Sequence, residues 1–240
     1  MFKLVSLLVG ISAKIVPFEV NTGDHLVAFR VAIYHHNLLK SAGVLLRSDI
    51  VLTTADQHTG NKKKYEVLLN SASPPANLTF SSLSPLAIRE KVIHPEFRSY
   101  DAPVNNVCIF KLDLPPSPPL RLHGDISDPR MEEMFLHIIG WGFPVEVTTR
   151  KPKQCRQALK RHLVHADSEF CFSSSFTHSE AMKYPRGSPL FINSKDSRKQ
   201  TVILAGLYSW PLRTHTQQVS LVVLKISKFR NWIQETINQF

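Results

Sequence analysis

The chain has 240 residues, 43% of them hydrophobic, which is enough for a sizeable core in one domain or in two tightly packed halves. Lys and Arg outnumber Asp and Glu by 29 to 19, a formal charge of +10 that favours solubility and acidic partners but carries no information about fold. No apolar run is long enough to cross a bilayer, and three cysteines are too few to define a disulfide framework by counting.

Lys3, the apolar run 4–12 and then Ala13 read as a short secretory leader over 1–13, with a first buried strand as the bland alternative. Short apolar runs then recur at 29–34, 43–46, 50–54, 65–69, 107–112, 134–139, 201–207 and 219–226. Polar or Pro-containing turns separate them, and several alternate or are rich in Val and Ile. Many short strands of this kind indicate a β-sandwich or β-barrels. Asn77-Leu78-Thr79 is a glycosylation sequon in a Ser/Pro-rich loop. The Pro-rich stretch 115–119 suits a connector between two halves.

Two segments read as helices. Residues 155–164 lack Gly and Pro and carry good helix formers. In 227–239, Phe229, Trp232, Ile233 and Ile237 share one face at helical spacing, with Ser227 as the expected N-cap.

Several landmarks, in order, resemble the trypsin-like serine protease family. Lys14-Ile15-Val16 resembles its activation site. Ala42-Gly43-Val44-Leu45-Leu46 and then Ile50-Val51-Leu52-Thr53-Thr54-Ala55 resemble the strand pair leading to the catalytic histidine. His94-Pro95-Glu96-Phe97 is similar to a common turn, and Asn105-Asn106-Val107 opens a strand like that of the catalytic aspartate. Gly140-Trp141-Gly142, Ser209-Trp210 and the end from Lys225 to Ile233 complete the set. Tyr184-Pro185-Arg186-Gly187-Ser188-Pro189-Leu190 resembles the nucleophile loop Gly-Asp-Ser-Gly-Gly-Pro-Leu. The resemblance implies an all-β fold: two packed six-stranded antiparallel β-barrels, about 14–115 and 116–226, then a C-terminal helix over 227–239.

By the same resemblance, Asp56 stands at the histidine position, Asn106 at the aspartate position and Arg186 at the serine position. A permanently charged guanidinium is not a nucleophile, and no imidazole remains to deprotonate one. The oxyanion N–H groups would come from Tyr184 and Arg186, with a Cβ and a following proline where a glycine is usual. The carboxylate that pairs with the new N-terminus is replaced by Pro185, and Pro17-Phe18 follow Ile15-Val16. Glu180 falls at the base of the specificity pocket. The resemblance also pairs Cys155 with Cys171, closing a loop of about 15 residues worth roughly 3 kcal/mol in the chain-entropy model. Other family bridges are replaced by Ser41 and Gln57, by Leu136 and Ile192, and by Met182 with a residue near Arg213. Cys108 is expected as a buried thiol.

Two further readings stay open. A displaced triad of His58, Ser188 and Asp101 would require three loops to shift together by several ångströms, whereas catalysis fails for misplacements of about 1 Å. Lys62, Lys63, Lys64, Arg156, Lys160 and Arg161 would form a surface for heparan sulfate or another polyanion, unless they are ordinary solvated charges. Nucleic acid is disfavoured, because no stacking aromatics interleave the basic residues. The expectation is therefore a non-catalytic, secreted or granule-stored (acrosome-like) homologue. It would bind an unidentified protein partner through its cleft and loops, without a cofactor or a metal.

Overall fold

The computed structural model describes residues 29–62, 65–69, 85–100, 102–115, 135–140, 145–149, 168–173, 184–193, 202–213 and 219–240. The leader, the sequon at Asn77 and the helix expected over 155–164 lie outside them.

The strands fall into two closed barrels of six, every pairing antiparallel. The first contains β1 (Arg30–His35), β2 (Leu38–Arg47), β3 (Ile50–Thr53), β4 (Tyr65–Leu69), β5 (Leu86–Ile93) and β6 (Cys108–Leu112), in spatial order 1-2-3-6-5-4. The second contains β7 (Phe135–Ile138), β8 (Val145–Thr149), β9 (Glu169–Ser173), β10 (Pro189–Asn193), β11 (Val202–Arg213) and β12 (Val219–Lys225), in order 10-11-12-9-8-7. Helix α1 (Ile226–Asn238) follows β12 directly. Closure removes the free edges that an open sheet would expose.

Alternation explains why β3 and β6 are hydrophobic at both parities, with only Thr53 and Lys111 polar. Ile50, Leu52 and Ile109 face a core shared between the barrels, which also holds Phe191, Leu207 and Leu224. Val51, Cys108, Phe110 and Leu112 point the other way, into the first barrel. Both faces of these strands are buried, so both parities must be hydrophobic. Helix α1 closes the shared core with Ile226, Phe229, Ile233 and Ile237, and Trp232 packs at its margin.

Turn chemistry sets the hairpins. His35 pairs with Leu38, leaving His36 and Asn37 as a two-residue loop with φ of 51° and 64°, the left-handed pair that a type I′ turn requires. Between β2 and β3, the buried Asp49 carboxylate takes a two-pronged contact from Arg47. Lys111 Nζ lies 3.8 Å from the same carboxylate and donates to Phe240 O at 2.7 Å, fastening the end of α1 to the first barrel.

The helix cap departs from expectation. Lys225 occupies the N-cap position and no side chain caps the helix; Ser227 Oγ is buried without a hydrogen-bond partner. Strand β12 feeds α1 without a turn, so Ser227 already sits in the first helical turn and cannot take the extended cap conformation.

The cysteines and lost bridges are placed as follows. Cys108 is free and buried, and Cys171 is disulfide-bonded; Cys155 lies outside the described residues. Burial pushes the Cys108 thiol well above its usual range, so it packs as an inert apolar group. Leu136 and Ile192 are direct partners across β7 and β10. Ser41, by contrast, is not matched with Gln57: it meets His58, and Gln57 Nε2 turns to Asp56 Oδ2 at 2.8 Å.

Candidate functional site

Four segments converge where the barrels meet. The loop after β3 carries Asp56, the segment before β6 carries Asn106, the turn before β10 carries Arg186, and β11 carries Ser209. Their side chains form one continuous chain of polar contacts. Arg186 Nη1 donates to Asp56 Oδ2. Asn106 Nδ2 donates to Asp56 Oδ1 and to Ser209 Oγ, both at 2.9 Å, while Asn106 Oδ1 accepts from the Asp56 N–H at 2.7 Å. Asn106 and Ser209 are fully buried. The amide is what makes this network possible, because it accepts from the backbone and donates to a carboxylate at the same time.

The turn that presents Arg186 is held by backbone contacts. Ala42 N–H donates to Arg186 O and Gly187 N–H to Tyr208 O, both at 2.8 Å, and Ser188 N–H donates to Pro185 O at 3.0 Å. Gly187 has φ +86°. Tyr184 is not among the residues with positive φ; it is buried beside the turn. Burial raises the Tyr208 phenol well above its usual range, with the nearby Arg186 pulling down and Asp56 pushing up.

Of the residues of the displaced-triad reading, Ser188 and His58 each bond elsewhere, and Asp101 lies outside the described residues. Ser188 Oγ donates to Pro185 O at 2.7 Å, folded back on its own turn. His58 lies inside the first barrel, fully buried, its ring edge-on to Tyr65 and Phe110 at 5.0 and 4.9 Å between centroids. Its Nε2 shares a hydrogen bond of 2.8 Å with Ser41 Oγ, and its Nδ1 has no partner. Asp101 is outside the described residues, as are Glu180, Lys63, Lys64, Arg156, Lys160 and Arg161. Lys62 is described, and its ammonium is taken up by the Arg89 carbonyl.

Burial drives the His58 pKa down to about 3, and Lys91, His35 and Lys40 add to the shift. This makes the site a liability in acid. The unfolded imidazole titrates near about 6.5, so between that pH and about 3 the unfolded chain binds a proton that the folded chain refuses. The contribution is intact above that range and falls by roughly a kcal/mol per pH unit as pH drops through it. Replacing His58 with Gln, which can still bond Ser41, should flatten the dependence of denaturation midpoint on pH between 6 and 3; equal slopes for both proteins would contradict the burial of a neutral imidazole.

Ser209 and Ser41 were not identified as site residues from sequence. The Ser209-Trp210 landmark was the available signal for the first. Nothing local marks the second, because its partner is 17 positions away on another element. Among the described residues no cluster of three or more His, Cys, Asp or Glu side chains is arranged to hold a metal ion, and no helix is long and apolar enough to cross a membrane.

Two six-stranded antiparallel barrels with a polar junction between them and a terminal helix on one side define the chymotrypsin-type architecture. The profile of the family described as Trypsin matches residues 18–233, and the chain belongs to that family. Its structure is similar to one described as kallikrein-related peptidase 10 complex with Zn2+, with a TM-score of 0.64 and 20% identity over 88% of this chain and 95% of that one. At that identity the likeness is one of fold. No curated protein sequence matches the chain.

Proposed function

We propose that this trypsin-family chain is a secreted, non-catalytic homologue that binds a protein partner at the junction where a protease would cut. The observation that carries the reading is the polar chain Arg186–Asp56–Asn106–Ser209. Asp56, Asn106 and Arg186 stand where the family resemblance puts the triad, and each is held by another member of this chain of contacts. A guanidinium cannot attack a carbonyl, and the carboxylate facing it is engaged in an ion pair with it instead of with a hydroxyl nucleophile. The loop arrangement of a triad is thus kept with groups that perform none of its steps.

The nearest competitor is the contact between Ser41 and His58. Three features weigh against it as a hydrolytic pair. Both residues are fully buried, no carboxylate orients the free His58 nitrogen, and an imidazole with a pKa of about 3 is too weak a base near neutral pH.

The test is covalent labelling. Purified protein treated with a fluorescent phosphonate serine-hydrolase probe should take up none, beside a trypsin control that labels stoichiometrically. Stoichiometric labelling would overturn the reading, and loss of that label in Ser41→Ala or Ser188→Ala would identify the nucleophile.

A further inference from the structure

Arg186 commits one of its three guanidinium nitrogens to the protein. Nη1 is paired with Asp56, and among the described residues Nε and Nη2 have no partner. The side chain is 36% exposed, against 8% for Asp56, so the group reaches solvent while its anchor does not. The anchor is itself fixed: Asn106 holds the Asp56 carboxylate and backbone N–H, and Ser209 holds Asn106. The backbone of Arg186 is pinned to β2 through Ala42.

A guanidinium restrained in this way has given up much of its rotamer freedom before any ligand arrives, which lowers the entropic cost of binding. Its unused edge presents two parallel N–H donors at the spacing of carboxylate oxygens. Asp56 already offsets much of the charge, so a singly charged acceptor balances the site better than a multiply charged sulfate or phosphate. The chain as a whole carries +10, which would draw an acidic partner in.

Resting on the non-catalytic reading, we propose that Arg186 is the recognition point for a carboxylate on an extended segment of the partner protein, supplied by an Asp or Glu side chain or by a free C-terminus. The ligand meets the Nε–Nη2 edge in a two-pronged contact, and Asp56, Asn106 and Ser209 are positioning residues behind it.

The experiment follows the Arg186 Nε–Hε signal of the full chain by NMR, assigned by its loss in Arg186→Gln. Three synthetic Gly/Ser octapeptides are titrated: one with a central Glu and an amidated end, one with Gln in its place and an amidated end, and one with Gln and a free C-terminal carboxylate. The proposal expects the signal to move with one or both carboxylate peptides, which also identifies the source, and to stay still with the amidated Gln peptide. Arg186→Gln, followed through the backbone amide signals of Gly187 and Ser188, should weaken binding by about tenfold or more, the worth of a charge-assisted pair. Arg186→Lys, which keeps a cation for Asp56 but lacks the planar edge, should also bind more weakly. No movement at millimolar peptide, equal movement with the amidated Gln peptide, or movement only with a heparin-derived oligosaccharide would overturn the proposal. None of those results would produce phosphonate labelling, so failure here is distinguishable from failure of the non-catalytic reading.

Discussion

Gly187→Ala should abolish or nearly abolish folding. The residue holds φ +86°, a conformation that a side chain disfavours, and an added Cβ would overlap the carbonyl oxygen of Ala42. It would also lie 2.8 Å from the Ala42 carbonyl carbon and from Thr53 Oγ1. None of these atoms can retreat cheaply. The Ala42 carbonyl accepts from Thr53 Oγ1 at 2.7 Å, the Ala42 N–H is tied to Arg186, and Gly187 itself is tied to Tyr208. Strain and overlap together should cost about 4 kcal/mol or more, a large share of the stability of a typical domain. Ser188→Ala, one position on, removes one hydroxyl contact and should cost about 1 kcal/mol. Urea denaturation of the two variants side by side measures the contrast, and a Gly187→Ala protein within about 1 kcal/mol of wild type would mean that the turn is built differently.

The second large effect comes from Asn106→Asp, which introduces the carboxylate that the family resemblance expects here. In this chain the change should be damaging at neutral pH. Asn106 Nδ2 lies 2.9 Å from Asp56 Oδ1, so the substitution sets two carboxylates against each other in a buried place where the Arg186 guanidinium contacts only Asp56. One of the pair must have its pKa raised. A carboxyl whose folded pKa exceeds its unfolded value of about 3.9 is no burden below that pH and destabilises progressively above it, up to the folded value. The penalty relative to wild type should therefore be small near pH 4 and reach about 3 kcal/mol near pH 7, the scale of an uncompensated buried charge. Adding Asp56→Asn to Asn106→Asp restores one carboxylate and one amide, and should recover most of the loss. A double-mutant cycle at pH 7 gives the coupling, and a value near zero would show that the two side chains are not in contact.

The two damaging changes differ in how far the sequence anticipates them. Gly187 and its neighbours stand out on inspection, because a nucleophile-loop pattern survives around a changed centre. The Asn106→Asp effect depends on Asp56, which is 50 positions away and becomes a neighbour only when the first barrel closes.

The strand pattern was legible to different degrees for the same kind of reason. Ile50–Thr53 and Cys108–Leu112 are buried on both faces and stand out as apolar runs in which only Thr53 and Lys111 are polar. Strand β5, Leu86–Ile93, was not anticipated. It carries Arg89, Glu90 and Lys91 in its middle, is largely exposed there, and shifts register between Ile88 and Glu90, so its alternation is broken. Strand β2 is longer than the apolar run 43–46, because its first three residues, Leu38 to Lys40, are largely exposed. The helix at the end was visible from the spacing of Phe229, Ile233 and Ile237, but its cap was not, since that depends on how β12 enters it.

The amino-acid sequence alone determined the family landmarks in their order, the two-barrel fold they imply, and the chemical identity of the groups at positions 56, 106 and 186. Only the tertiary structure decided what those groups do to one another. Arg186 and Asp56 are 130 positions apart, on different barrels, and their pairing is a matter of ångströms in space that no local pattern encodes. The same holds for the buried neutral His58 and for the partly exposed Arg186 side chain. Charge and hydrogen-bonding capacity belong to residue types, but whether they are spent internally or left for a partner depends on distance and burial, which exist only once the chain has folded.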